Sequence, residues 1–270
     1  MEVIMQKQNG YALITGATGG LGQAFVKAYA RRGVPLLLTG RSQDKLNALK
    51  AELETKYENL PIIVYALDLT SEEKRLAFFK EIQEKGVVFS TLVNVAGADI
   101  QKGFEQYSQE KIAFQCRVNF ESAVCMSKFA LENRTETLDI INISSVSGLY
   151  PMPYFAIYSA TKSALTSFSI ALRQETKKKG VRVTAVLPGA MPTRADIKEQ
   201  IKGQGLWGKL AAKSPRFVAE KSLKALRKNK RKVIPGFWNN VMNVGTKLLP
   251  TSLKIKFIAK RWSKIRKDAF

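Results

Sequence analysis

A tyrosine and a lysine four positions apart, Tyr158 and Lys162 in the run YSATK, are the residues whose types and spacing best suit chemistry. On a helix that spacing sets the phenol and the ammonium on one face. A free phenol, with a pKa of about 10, holds its proton too tightly for acid–base work near neutrality. A neighbouring cation stabilises the phenolate and draws that value down toward the useful range. Ser145 stands 13 residues before the tyrosine, just after the apolar run DIINIS. There its hydroxyl could hydrogen-bond a substrate carbonyl oxygen alongside the phenol. By itself a Tyr/Lys pair is common helix decoration, so its meaning depends on its surroundings. Composition removes the main competitors. The chain has no histidine, which excludes Ser-His-Asp and Cys-His hydrolases and any His-liganded metal site. Cys116 and Cys125, the two cysteines, fit neither a disulfide framework nor zinc-ligand spacing and point to a reducing compartment. No metal is expected.

A second chemical feature lies near the N-terminus, in TGATGGLG at residues 15–22. The run follows a short apolar segment and opens an amphipathic one. Glycines at 16, 19, 20 and 22 allow a tight turn, and let backbone N–H groups and a helix N-terminus approach a pyrophosphate. Gly16, Thr18, Gly20, Leu21 and Gly22 are therefore candidate dinucleotide contacts. An NAD site places a carboxylate on the ribose about 20 residues further on. That place reads Thr39-Gly40-Arg41-Ser42. It has no acid, and the Arg41 guanidinium beside Ser42 suits a 2′-phosphate, so NADP(H) is the expected cofactor.

These residues need a scaffold, and the first two-thirds of the chain supplies its pattern. Apolar runs at 11–15, 35–39, 62–66, 91–95, 139–144 and 182–187 are short, β-branched or Leu-rich, and nearly free of charge. They read as parallel strands buried on both faces. Helix-length segments at 21–32, 43–57, 72–85, 107–131 and 154–179 lie between them. The alternation predicts βαβ units in one doubly wound α/β domain of Rossmann type, with helices on both sides of a parallel sheet. After residue 187 the pattern loosens: loop and short helix to about 207, then a helix from Ser214-Pro215 to about 227 and an edge strand at 232–235. The expected organisation is a catalytic domain over 1–235 and a basic amphipathic extension over 236–270.

Taken together, these motifs resemble those of the short-chain dehydrogenase/reductase family over about residues 8–193. The resemblance is carried by TGATGGLG (15–22), DLT (68–70), NVAG (94–97), Asn119, ISS (143–145), YSATK (158–162), and Pro188-Gly189 with Thr193. It implies a seven-stranded sheet in the order 3-2-1-4-5-6-7 and a carbonyl reductase or alcohol dehydrogenase using NADP(H). It implies Tyr158 as proton donor to the carbonyl oxygen, and Lys162 as the group that holds the nicotinamide ribose and lowers the phenol pKa. Ser145 would orient the substrate, and Asn119 would anchor a relay water. Asp68, Leu69, Asn94, Ala96 and Gly97 are implied at the adenine and its ribose or along the cofactor, with Pro188, Gly189 and Thr193 near the carboxamide. Homodimers or homotetramers are usual for the family. The chain departs from the family's pattern at Val95, where an asparagine is common, and at Thr18-Gly19, where polar residues are common.

Substrate choice is expected from the segment at about 190–214, where Ile197, Ile201, Leu206 and Trp207 read equally as an apolar lid or as packing. The net charge is +22, and residues 194–270 hold 21 of the 44 Lys and Arg but only 4 of the 22 Asp and Glu. In the tail, helical spacing from residue 252 aligns Ile255, Ile258, Trp262 and Ile265, with Lys254, Lys260, Arg261, Lys264 and Lys267 largely elsewhere. Three readings stay open. The stripe is an interfacial helix on anionic lipid, or it docks on its own domain or in a dimer. Nucleic-acid binding, the third, has only charge behind it. The run at 227–232 suits an acidic partner such as a lipid headgroup, acyl carrier protein or coenzyme A. The N-terminus does not read as a signal peptide, and no stretch is apolar enough to span a membrane. The expected location is cytoplasmic, with peripheral membrane association left open. The expected substrate is an apolar ketone, a long-chain 3-oxoacyl compound or a keto-sphingoid base, against a hydroxysteroid or broad-range alcohol. A catalytically idle NADP-binding protein is the alternative of another class.

Overall fold

The computed structural model describes residues 10–193, 197, 201, 210–247 and 249–263. Seven parallel strands make one sheet: β1 (Tyr11–Thr15), β2 (Leu36–Gly40), β3 (Ile62–Ala66), β4 (Phe89–Asn94), β5 (Arg134–Ile143), β6 (Val181–Val186) and β7 (Lys232–Val233). Their order is β3-β2-β1-β4-β5-β6-β7, as the family resemblance implies. The order reverses between β1 and β4, and a crevice opens there at the carboxyl ends of the strands.

Side-chain alternation along each strand feeds two cores. Ala12, Ile14, Leu36 and Leu38 point to one face. They meet Leu21 and Phe25 of α1 (Gly20–Ala30), Leu46 and Leu49 of α2 (Gln43–Glu54), and Val218 and Leu223 of α7 (Pro215–Arg227). Leu13, Leu37 and Leu92 point to the other. They meet Phe78 of α3 (Glu72–Glu84), Phe129 of α5 (Ser122–Glu132) and Leu172 of α6 (Ala156–Thr176). Each fully buried side chain of this size contributes about 1.5–3 kcal/mol.

Serine hydroxyls cap four of the helix starts. Ser42 caps α2, Ser71 caps α3, Ser108 caps α4 (Gln109–Cys116) and Ser214 caps α7, each accepting from the backbone N–H three residues on. α1 is among the helices without one. Gly19 provides no side-chain cap, so its first N–H groups face the crevice.

The segment expected as one helix over 107–131 divides. After a 3₁₀ turn at Phe104–Gln106, α4 runs into five π-helical residues, Arg117–Glu121, before α5. β7 stops at Val233, two residues short of its expected end. Beyond it lie two helices, α8 (Phe237–Lys247) and α9 (Thr251–Trp262). Leu206 and Trp207 of the expected lid lie outside the described residues, and the described Ile201 is buried.

Candidate active site

β5 ends at Ile143, and the chain continues through Ser144 and Ser145 into a 3₁₀ turn at Val146–Leu149. α6 then returns along the sheet and carries Tyr158 and Lys162 past those serines. Ser144 fixes the approach: its hydroxyl donates to Lys162 O (2.7 Å) and lies 2.7 Å from Thr166 Oγ1. Tyr158 hydrogen-bonds the Ser145 side chain and stacks on Phe155, with ring centroids 4.3 Å apart. Lys162 is 3% exposed; its Nζ donates to Ile143 O (2.9 Å) and sits 5.7 Å from the centre of the tyrosine ring. Ser145, Tyr158 and Lys162 thus converge at the carboxyl edge of β5.

The electrostatics differ from the expectation that the lysine lowers the phenol pKa. Burial pushes the Tyr158 phenol above its ordinary value and the charge of Asp99 adds to that, against a lowering by the Ser145 hydrogen bond. Burial likewise brings Lys162 down to about 8, with Asp99 acting in the opposite direction. Burial is the largest cause for both groups, and the ammonium is turned onto the Ile143 carbonyl. The chain therefore holds Tyr158 as a neutral phenol, a form that can donate a proton.

Asn119 lies in the π-helical stretch, whose wider turn directs its amide back toward the strand ends. Its Oδ1 accepts from Ala98 N (2.8 Å), and its Nδ2 donates to Ala98 O (2.9 Å) and to Thr161 Oγ1 (3.3 Å). Gly97 fits between these groups: a Cβ there would lie 3.0 Å from Asn119 Oδ1 and 3.2 Å from Lys162 Nζ. The amide grips Ala98 and α6 together, so a water would find only the backbone of this stretch to bind.

The glycine-rich turn fits a dinucleotide phosphate. Gly16 has φ +62, and a Cβ there would lie 3.0 Å from Ala96 N; a Cβ on Gly22 would lie 2.1 Å from Gly16 O. Thr193 stands over the turn, 3.0 Å from where Gly20 would carry a Cβ. Thr15, which the sequence did not single out, accepts from Val95 N (3.1 Å) and Ala96 N (3.2 Å), locking β1 and β4 at the crevice. Gly22→Ala should cost about 1–3 kcal/mol of stability and abolish dinucleotide binding, because the clash is with backbone. Thermal unfolding and a fluorescence titration with NADPH would show it; a variant of unchanged stability and affinity would refute the close packing.

At the end of β2, Thr18 Oγ1 would lie 3.3 Å from a Cβ on Gly40, Arg41 is exposed, and Ser42 caps α2. Asp68 accepts from Thr70 N (2.9 Å) and Thr70 Oγ1 (2.7 Å). Burial alone would raise its pKa, but these bonds, with Lys74 and Arg41 nearby, hold it below the ordinary value. No carboxylate stands at the β2 end itself, so this edge suits an anion.

Three expected cofactor residues are placed differently. Asn94 reaches the strand end, but its Nδ2 donates to Ala123 O, Ser127 Oγ and Asn142 Oδ1, which directs the amide into the sheet–helix layer instead of toward a ribose. The side chains of Leu69 and Leu21 belong to the two cores, leaving only backbone for a ligand. Pro188 O accepts from Val146 N (3.1 Å), tying the Pro-Gly turn to the segment after Ser145.

One residue of this region has no sequence signal. Asn239 of α8 is 2% exposed and donates to Ala211 O (3.1 Å) and Pro235 O (2.8 Å); a Cβ on Gly189 would lie 2.8 Å from its Nδ2. A single amide thus bonds α8 to the far end of the segment expected to select substrate and packs on Gly189 at its start.

A doubly wound sheet with a glycine turn at its first crossover and a Ser–Tyr–Lys set on the fifth strand and following helix defines a dinucleotide-dependent dehydrogenase scaffold. The chain belongs to the short-chain dehydrogenase family, whose model matches residues 10–202. It is 35% identical over 199 residues to the very-long-chain 3-oxoacyl-CoA reductase of Bos taurus, a match that covers 70% of this chain and 62% of that protein. The chain therefore spans about six-tenths of that relative's length. Among solved structures it superposes on a short-chain dehydrogenase from Sphingobium yanoikuyae in complex with NADPH, with TM-score 0.72 and 26% identity, over 88% of this chain and 94% of that one. A 7beta-hydroxysteroid dehydrogenase shares the fold with TM-score 0.82 at 24% identity, covering 94% and 98%.

Proposed function

We propose that this protein is an NADPH-dependent reductase of a lipophilic ketone, a long-chain 3-oxoacyl thioester before a steroid or a small ketone. The observation that carries the reading is the convergence of Ser145, the neutral Tyr158 phenol and the buried Lys162 at the carboxyl end of β5. The relative from Bos taurus supports the substrate class.

NADPH, when bound, supplies the hydride. The glycine turn and the uncapped start of α1 hold its pyrophosphate, and Arg41 with Thr18 and Ser42 takes the 2′-phosphate. Ser145 donates a hydrogen bond to the carbonyl oxygen and fixes its position. Tyr158 hands its proton to that oxygen as negative charge gathers there, giving the alcohol. Lys162 turns its ammonium from Ile143 O toward the phenolate left behind and toward the ribose. Asn119 keeps Ala98 and Thr161 in register, so that the floor beneath Lys162 does not shift.

The direct test measures NADPH oxidation with a long-chain 3-oxoacyl-CoA, a steroid ketone and a short ketone. A kcat/KM that rises with acyl-chain length is expected. Turnover of the steroid alone would move the substrate class, and NADPH binding without turnover of any of the three would refute the reductase. Cofactor choice has its own test. Arg41→Glu should lower the NADPH-to-NADH ratio of kcat/KM by about a hundredfold, since it replaces a phosphate-matching fork with a charge that repels phosphate. An unchanged ratio would remove Arg41 from the 2′-phosphate site.

A further inference from the structure

α8 is built inside out. At 100° per residue its Asn239 and Asn243 lie on one side, and Asn239 is the buried anchor on Ala211, Pro235 and Gly189. Phe237, Val241 and Val244 lie opposite, with Trp238 and Met242 flanking them; these five are 36–73% exposed and carry no charge. Ordinary surface helices do the reverse, burying the apolar face and wetting the polar one. Leu249 then leads, exposed, into α9. On α9 the stripe read from the sequence faces inward: Ile255, Ile258 and Trp262 are partly buried, and Ile255 lines a cavity together with Tyr150, Met152, Ala156 and Ala160. Its outer face instead shows Leu253 and Phe257, 54% and 66% exposed, beside the exposed Lys256 and Lys260. Eight of the twelve large exposed hydrophobic side chains among the described residues fall between 237 and 257. Contiguous apolar exposure of this kind marks a docking surface.

Charge selects the occupant. Residues 221–267 contain fifteen Lys and Arg and not one Asp or Glu. A symmetric dimer through this face would set those cations against their own copies. A nucleic acid would use the cations but not the uncharged face of α8. An anionic bilayer satisfies both, with aromatic and aliphatic side chains entering the headgroup boundary and lysines meeting lipid phosphate. No described helix is long and apolar enough to cross a membrane, so the mode is lying on the surface.

We propose that α8 and the outer face of α9 form a docking surface for anionic lipid membranes. α8 rests against the 3₁₀ turn that follows Ser145; through Asn239 it is bonded to Ala211, near the far end of the segment after Pro188-Gly189, and packs closely on Gly189 at its start. Docking there sets the mouth of the proposed site at the lipid surface, where a long-chain substrate resides. That consequence rests on the proposed reductase, while the docking itself does not.

Sedimentation with vesicles of phosphatidylcholine, with and without phosphatidylglycerol, at low and high salt tests the surface. The intact chain should be retained by the anionic vesicles, less so at high salt. The double variant Val241→Asp/Val244→Asp should lose at least about tenfold in retention, close to 1.4 kcal/mol or more, while binding NADPH as before. These two valines are exposed and remote from the anchoring amide, so the domain should remain folded. Absence of retention, or equal retention of the variant, would overturn the proposal. So would a dimer of the intact chain that the variant converts to monomer in the ultracentrifuge, or retention by an acidic acyl carrier protein in place of the vesicles. Vesicle binding by a chain that reduces no ketone would uphold the surface and defeat the reductase; reduction without vesicle binding would do the opposite.

Discussion

Tyr158→Phe should lower ketone reduction by about a thousandfold while leaving NADPH affinity within about twofold, as expected for losing one general acid of the active site. The substitution removes only the hydroxyl. The ring keeps its stacking on Phe155, and Lys162 keeps its bond to Ile143 O, so the shape of the crevice persists. What disappears is the proton that the carbonyl oxygen would receive. Because burial holds the phenol neutral across the neutral range, reduction by the intact chain should be flat with pH until Lys162 loses its proton at about 8, and fall above it. Oxidation of the alcohol, which needs the phenolate, should gain from raising the pH. Measuring kcat/KM for both directions from pH 6 to 10 tests the assignment. A Phe variant that retains a tenth or more of the turnover would place the acid elsewhere.

The sheet was legible because its strands are buried on both faces, and covered strands leave charge-free runs such as LLLT and IINI that helices do not share. The glycine turn and YSATK were legible because backbone approach and i,i+4 spacing are properties of short segments. The π-helical stretch was not. One extra residue per turn over 117–121 leaves the apolar periodicity of the long segment almost unchanged, yet it decides where the Asn119 amide points. The orientation of the Asn94 side chain was not legible because its partners lie on two other elements, Ala123 and Ser127 on α5 and Asn142 on β5. The phenol's electrostatics were equally hidden: spacing reports that a cation is near, but the burial that outweighs it is a tertiary property. In the tail, amphipathicity identified a helical stripe without saying which way it faces. The structure turns Ile255, Ile258 and Trp262 of that stripe inward, and on α8, for which no stripe had been read, it buries Asn239.

Lys162→Met should separate stability from catalysis. Folding lowers the pKa of this lysine from 10.5 to about 8, so between those values the unfolded chain holds a proton that the folded chain has released. Stability attributable to this group therefore rises with pH from about 8 to about 10.5, and below about 8 the whole cost of a buried ammonium is present. At 1.36 kcal/mol per pH unit the cost approaches about 3 kcal/mol at neutral pH. Methionine fills a similar volume without charge and forgoes the bond to Ile143 O, which returns about 1 kcal/mol of that gain. The variant should resist urea better than the parent at pH 7 by about 1–2 kcal/mol, with the gap closing toward pH 10. Its turnover should fall by about a hundredfold or more, because no cation meets the tyrosinate as it forms. A group retained at a cost to folding, and required when charge develops beside it, belongs to the chemistry and not to the core. A variant less stable than the parent at pH 7 would make Lys162 a structural residue and return the burden of catalysis to Tyr158 and Ser145 alone.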